Sequence, residues 1–162
     1  MQTATIHQLK SELTVLNQKQ LLQLCLRLAR FKKENKELLT YLIFDAGDEE
    51  NFRHVFKVDL EQQFNEINKS NVYWIKKSLR KILRTLDKFV RFSGNKETEI
   101  EFRLHFIRQI SFHHLPIKRN KVLVNMYESQ VRKIKIALEK VHEDLQHDYG
   151  IELDSILKER VL

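Results

Sequence analysis

From Asn71 to Gly94 the chain reads NVYWIKKSLRKILRTLDKFVRFSG, and nothing in that stretch interrupts a helical period. At about 100° per residue, Ile75, Leu79, Ile82, Leu83, Leu86, Phe89 and Val90 fall on one side. Lys76, Lys77, Arg80, Lys81, Arg84, Lys88 and Arg91 fall on the other. These seven bases face a single acid, Asp87, so the segment carries +6 of a whole-chain net charge of +7. Such a helix needs a core on one side and presents a cationic rail on the other.

Breakers elsewhere are as scarce. The 162 residues hold three glycines and one proline, too few for the turns of a many-stranded sheet. Gly47, Gly94, Gly150 and Pro116 each fall where a helical period ends, and this agreement predicts an all-α fold of six or seven helices. Gly47 and Gly94 cut the chain into pieces of similar length, near the period of HEAT-like arrays. No residue pattern repeats between the pieces, so an irregular multi-helix bundle and a short αα-superhelix of helical hairpins both fit. The length fits one domain spanning 1–162.

The elements follow in order. Thr5 with Gln8, and Asn17 with Gln20, have capping-box spacing. Leu21, Leu24, Cys25 and Leu28 form the stripe of the second helix, with Cys25 read as a small buried hydrophobe. The pattern breaks near FKKENK and resumes up to Gly47, placed as a helix-ending residue of positive φ. Asp48, Glu49 and Glu50 then load the first turn of a helix whose core stripe is Phe52, Phe56, Leu60 and Phe64. Beyond Gly94, Ile100, Leu104, Ile107 and Ile110 make one row, and Phe102, Phe106 and Phe112 a second, which suits a central helix. Alternation at 100, 102, 104 and 106 also makes this the best strand candidate. After Pro116 one long helix is expected from about Lys118 to Asp148, stopped by Gly150, with a short amphipathic tail to Leu162.

The pI of about 9.5 implies attraction to polyanions. On the cationic segment, Lys76, Arg80, Lys81, Arg84, Lys88 and Arg91 are the candidate polyanion-binding residues. Trp74 and Phe92 stand at the edge of the basic side, placed to stack on bases. The plainer alternative is a solvated face pairing with the acidic 48–66 helix. A second basic region, Lys118, Arg119, Lys121, Arg132, Lys133 and Lys135, extends the positive surface only if the fold brings it alongside.

Catalytic, cofactor and metal sites are not expected. Gly-x-Ser-x-Gly, a P-loop and a Gly-rich dinucleotide turn are all missing. Glu139 and His142 have the Glu-x-x-His spacing of di-iron bundles, but Glu139 points away from the apolar direction set by Leu138, Val141 and Leu145. The histidines at 113, 114, 142 and 147 read as loop or surface residues. The longest dense apolar stretch, Leu38 to Phe44, is far short of the roughly 20 residues of a membrane span. The N-terminal MQTATIHQLK lacks the pattern of a signal peptide, so a cytoplasmic protein is expected.

The opening QLKSELTVLNQKQLLQLCLRLARFKKENKELLTYLIF, with its leucine spacing and KKENKELL, resembles the N-terminal part of a family of small bacterial all-helical proteins without an assigned activity. That resemblance implies a helical fold and a bacterial cytoplasmic setting. The composite expectation is a non-enzymatic helical interaction module whose basic face docks an acidic protein or a partner subunit. The alternative is non-specific nucleic-acid binding through the cationic helix at 72–92. The first reading expects an exposed apolar strip beside the bases, from Phe102, Phe112 or the C-terminal tail.

Overall fold

A computed structural model of the chain describes residues 2–159. It is all-α: α1 (Ile6–Thr14), α2 (Gln18–Phe31), α3 (Lys33–Thr40), α4 (Glu49–Asn65), α5 (Val72–Ser93), α6 (Lys96–Phe112), α7 (Lys121–Leu138) and α8 (Glu143–Glu159). One π turn follows α3 and one 3-10 turn precedes α7, and no strand occurs among the described residues. The chain forms two compact units, Met1–Phe44 and Asp45–Leu162.

In the first unit both capping boxes form. Thr5 N–H donates to Gln8 Oε1 at 2.9 Å and Gln8 N–H returns to Thr5 Oγ1 at 3.3 Å. Asn17 and Gln20 exchange the same two bonds at 2.9 Å each. The break in FKKENK is Lys32, whose extended backbone separates α2 from α3. Asn35 Nδ2 then donates to the Leu28 carbonyl at 2.9 Å and fixes the two as a hairpin.

The second unit is built around α6. Ile100, Phe102, Leu104, Phe106, Ile107 and Ile110 are all buried, pointing several ways from one axis. Helices α4, α5, α7 and α8 all pack on it. A superhelix would stack each hairpin on its neighbours only, so this unit is a bundle with a central helix. The alternation read as a possible strand arises because nearly every side of α6 is covered, not from a period of two. Phe112 departs from the expected second row: it is 72% exposed, on the open side of a last turn whose Ile110 is buried.

Gly94 closes α5 in the left-handed conformation, φ +65°, with its N–H on the Val90 carbonyl at 3.0 Å. Asn95 then caps α6, accepting from the Glu97 N–H at 2.8 Å, so the chain reverses in two residues. A Cβ at Gly94 would meet nothing within 4 Å. Gly94→Ala is therefore expected to cost only the backbone strain, about 1 kcal/mol, read as a lower urea midpoint at unchanged slope.

The other glycines behave differently from expectation. Gly47 does not take positive φ, and Gly150 lies inside α8. The expected helix from Lys118 to Asp148 breaks instead between Leu138 and Glu143, and α7 starts only at Lys121, capped by Asn120. The break comes from His142, whose Nδ1 accepts from the Asp144 N–H at 3.3 Å. Glu143 and Asp144 then occupy the first turn of α8, where carboxylates favour the positive end of the helix dipole. This leaves Glu139 at the end of α7 and His142 outside any helix, so the two do not share a helix face.

Candidate functional site

Arg103 sits in the middle of α6 and is only 3% exposed. A guanidinium there must be paired, because a buried cation without partners is costly. Its partners come from three helices. Nε and Nη2 donate to Glu99 Oε1 at 3.1 and 3.0 Å, one turn back on α6. Nη2 also meets Asp87 of α5 at 2.9 Å. Nη1 donates to Gln130 Oε1 of α7 at 2.6 Å. The two outer helices are thus held to the central one by a single side chain.

Above this tie α5 and α7 flank a groove of about 670 Å³, lined by Arg80, Leu83, Arg84 and Asp87 on one wall and Val122, Asn125, Met126, Ser129 and Gln130 on the other. Asp87 is the only carboxylate lining it among the described residues. That carboxylate is already shared between Arg103 and Lys133 Nζ, the latter at 3.2 Å. Lys133 therefore brings part of the second basic region against the cationic helix.

The predicted rail residues divide by position. Arg80, Lys81 and Arg84 are exposed, and Lys76 is half-buried. None of these four has a carboxylate partner among the described residues. Lys88 lies over the Phe89 ring, 5.0 Å from its centre, and Arg91 is exposed at the far end. Trp74 is 40% exposed with Lys77 Nζ over its ring at 5.1 Å. Phe92, expected beside it as a stacking residue, is buried instead and packs edge-on against Phe89. Tyr73 was not singled out by sequence, yet it is 60% exposed, with its ring 5.1 Å from that of Trp74. It lies seven residues before Arg80, two turns along the same row.

Helix α4, which carries the acidic residues of the 48–66 segment, turns its bases to α6. Arg53 meets Glu97 at 3.5 Å and Glu101 at 3.3 Å, and Lys57 pairs with Glu101. Tyr149 of α8 donates its hydroxyl to both acids, at 3.1 and 3.0 Å. Burial, then the charge of Glu101 and Glu97, raises that phenol far above its ordinary range. Glu49 accepts from Ser93 at 3.1 Å and from Thr98 at 2.6 Å, fastening the start of α4 to the α5–α6 turn.

These contacts set a pH dependence. Burial alone would raise the Glu99 and Glu101 carboxyls, but Lys96 with Arg103, and Lys57 with Tyr149 and Arg53, hold both below the ordinary 4.5. Burial lowers His105 below 6.5; Glu61 opposes this, while Lys57 and Arg108 reinforce it. In all three cases the unfolded state takes up the proton first as pH falls. Stability is therefore expected to decline in two stages, first below about 6.5 and then below about 4.5. Urea titrations across that range check it; His105→Asn should shrink the upper stage and spare the lower, the remainder of the upper stage coming from His113, which burial and then Lys69 also hold below 6.5.

A second feature lies in the first unit. No residue of α1, α2 or α3 is buried. Leu24, Leu28 and Phe31 form an exposed row, Phe31 at 84%. Cys25, expected to be buried, is exposed as well. Ile6, Leu9, Leu13, Leu16 and Leu21 line one shallow groove, and Cys25, Leu28, Leu38, Leu39 and Leu42 a second of about 260 Å³. Of the residues expected to give an exposed apolar strip beside the rail, Phe112 is exposed, as is Ile151 of the C-terminal helix. Phe102 is fully buried, and the C-terminal helix buries Leu153 and Ile156.

No three His, Cys, Asp or Glu side chains gather as a metal site among the described residues. No helix among them is long and apolar enough to cross a membrane. No protein-family model matches this chain, and neither does any curated protein or solved structure.

Proposed function

We propose that the chain is a non-enzymatic interaction protein whose N-terminal unit docks an acidic, amphipathic segment of another protein. The observation that carries this is the leucine-rich surface of α1–α3, none of which is buried. Contiguous apolar surface of this kind is rare unless something covers it. The charge around it selects the partner. Residues 2–44 hold seven lysines and arginines against Glu12, Glu34 and Glu37, a net +4. A second copy would bring like charge to the same surface, whereas an acidic helix would bring apolar and electrostatic complementarity together.

The test is binding of a labelled synthetic helix with leucines on one face and glutamates on the other, against its lysine counterpart. The full-length protein should bind the glutamate peptide at least tenfold more tightly, and Leu24→Glu with Phe31→Glu should abolish the difference. Circular dichroism on the same variant would establish that the helices persist. Equal binding of both peptides, or a stable dimer in light scattering that the variant dissolves, would overturn the reading.

A further inference from the structure

We propose that the groove between α5 and α7 holds the phosphodiester backbone of a single-stranded nucleic acid, without sequence preference. Its lining is rich in donors. Arg80 and Arg84 supply two guanidiniums, and Asn125 and Ser129 supply an amide and a hydroxyl. Gln130 already has its Oε1 taken by Arg103, which leaves its NH₂ end for a ligand. The carboxylate of Asp87 would repel an anion, but Arg103 at 2.9 Å and Lys133 at 3.2 Å neutralise it in place. Together these groups make a cavity suited to oxygen anions.

The spacing favours a strand over an isolated anion. Lys76, Arg80 and Arg84 recur every four residues, so an anionic chain lying along α5 meets a cation about every 6 Å. Continuous basic grooves of this kind track a nucleic-acid backbone, and exposed aromatic rings beside them accept bases by stacking. Tyr73 stands exposed toward the N-terminal end of α5 in the row of Arg80, its ring 5.1 Å from that of the exposed Trp74. A duplex keeps its bases stacked inside and would leave these rings unused. An acidic peptide would use the arginines and have no need of the rings.

The experiment measures fluorescence anisotropy of a labelled oligothymidylate of about 15 nucleotides with the full chain, across a salt series. Three phosphate contacts predict a log–log salt slope of about −2, and Arg80→Gln with Arg84→Gln should flatten it by about 1.4. The same variant should lose at least tenfold in affinity at low salt while its thermal unfolding stays unchanged. Tyr73→Ala with Trp74→Ala should weaken binding and leave the slope alone, which separates stacking from charge. The proposal is overturned by an absence of binding at low salt, or by a slope that ignores the arginine change. Polyglutamate binding as tightly as the oligonucleotide would point to an acidic protein instead, and tighter binding of a duplex would remove the single-strand assignment.

Discussion

Arg103→Met is expected to lower the free energy of unfolding by about 3 kcal/mol, among the largest effects of any single polar substitution here. Methionine can fill the aliphatic part of the space, so the loss is electrostatic rather than a cavity. Glu99 loses both hydrogen bonds from the Arg103 guanidinium and keeps Lys96, while its side chain stays 12% exposed. Gln130 Oε1 loses its donor inside the bundle. Asp87 suffers least, because its side chain is 41% exposed and it keeps Lys133. The cost therefore centres on Glu99, which makes a specific double-mutant result expected. Adding Glu99→Gln to Arg103→Met should recover part of the loss, because a neutral amide is far cheaper to leave half-buried than a carboxylate. In the single variant, burial of Glu99 is opposed by Lys96 alone, so the acid limb of the stability profile should move to higher pH. Denaturant titrations of the parent and the three variants decide it; strict additivity of the two substitutions would mean that Arg103 and Glu99 act independently.

Much of this architecture was legible because breakers and caps act locally. Asn71, Gly94 and Asn95 mark the ends of α5 and α6 by chemistry that involves only a few neighbours, and the structure follows them. Gly150 misled because glycine permits a turn without requiring one, and α8 packing on α6 and α7 carries the helix through it. The real break depends on a histidine cap at His142, a weaker signal than Ser, Asp or Asn. The groove was partly visible. Arg80 and Arg84 stand out in any reading of the charge pattern, but its other wall does not, because Asn125 and Ser129 look like ordinary surface residues. A signal for the tie beneath it did exist. Arg103 interrupts the apolar run of α6, and Gln130 takes a core position between Tyr127 and Ile134 on α7. Polar residues at two core positions on different helices imply that they meet. The leucines of α2 were read as core because periodicity reports amphipathicity and cannot say what, if anything, covers the apolar face.

Phe102→Ala is expected to cost about 4 kcal/mol, because it empties a close aromatic contact in the core of the bundle. The ring is fully buried, its centre 4.1 Å from that of Phe56 and 5.8 Å from that of Phe52. Both partners belong to α4 and are themselves held by Phe89 of α5. A collapse that filled the void would have to move α4, whose Arg53 and Lys57 are anchored to α6, so little relaxation is available. Phe112, on the same helix but exposed, should tolerate alanine within about 0.5 kcal/mol. The pair of substitutions therefore tests which way α6 is turned; comparable losses at both positions would contradict the orientation described. Because 4 kcal/mol is a large share of a domain's stability, Phe102→Leu provides the milder probe, expected to cost about 1.5 kcal/mol. Phe102 faces α4, while Arg103, one residue on, reaches α5 and α7 beneath the groove. The folded Phe102→Leu protein should thus keep the salt slope of oligonucleotide binding unchanged, and Arg80→Gln with Arg84→Gln should change the slope and leave stability alone. This reciprocal result is what a bundle with a distinct core face and groove face requires.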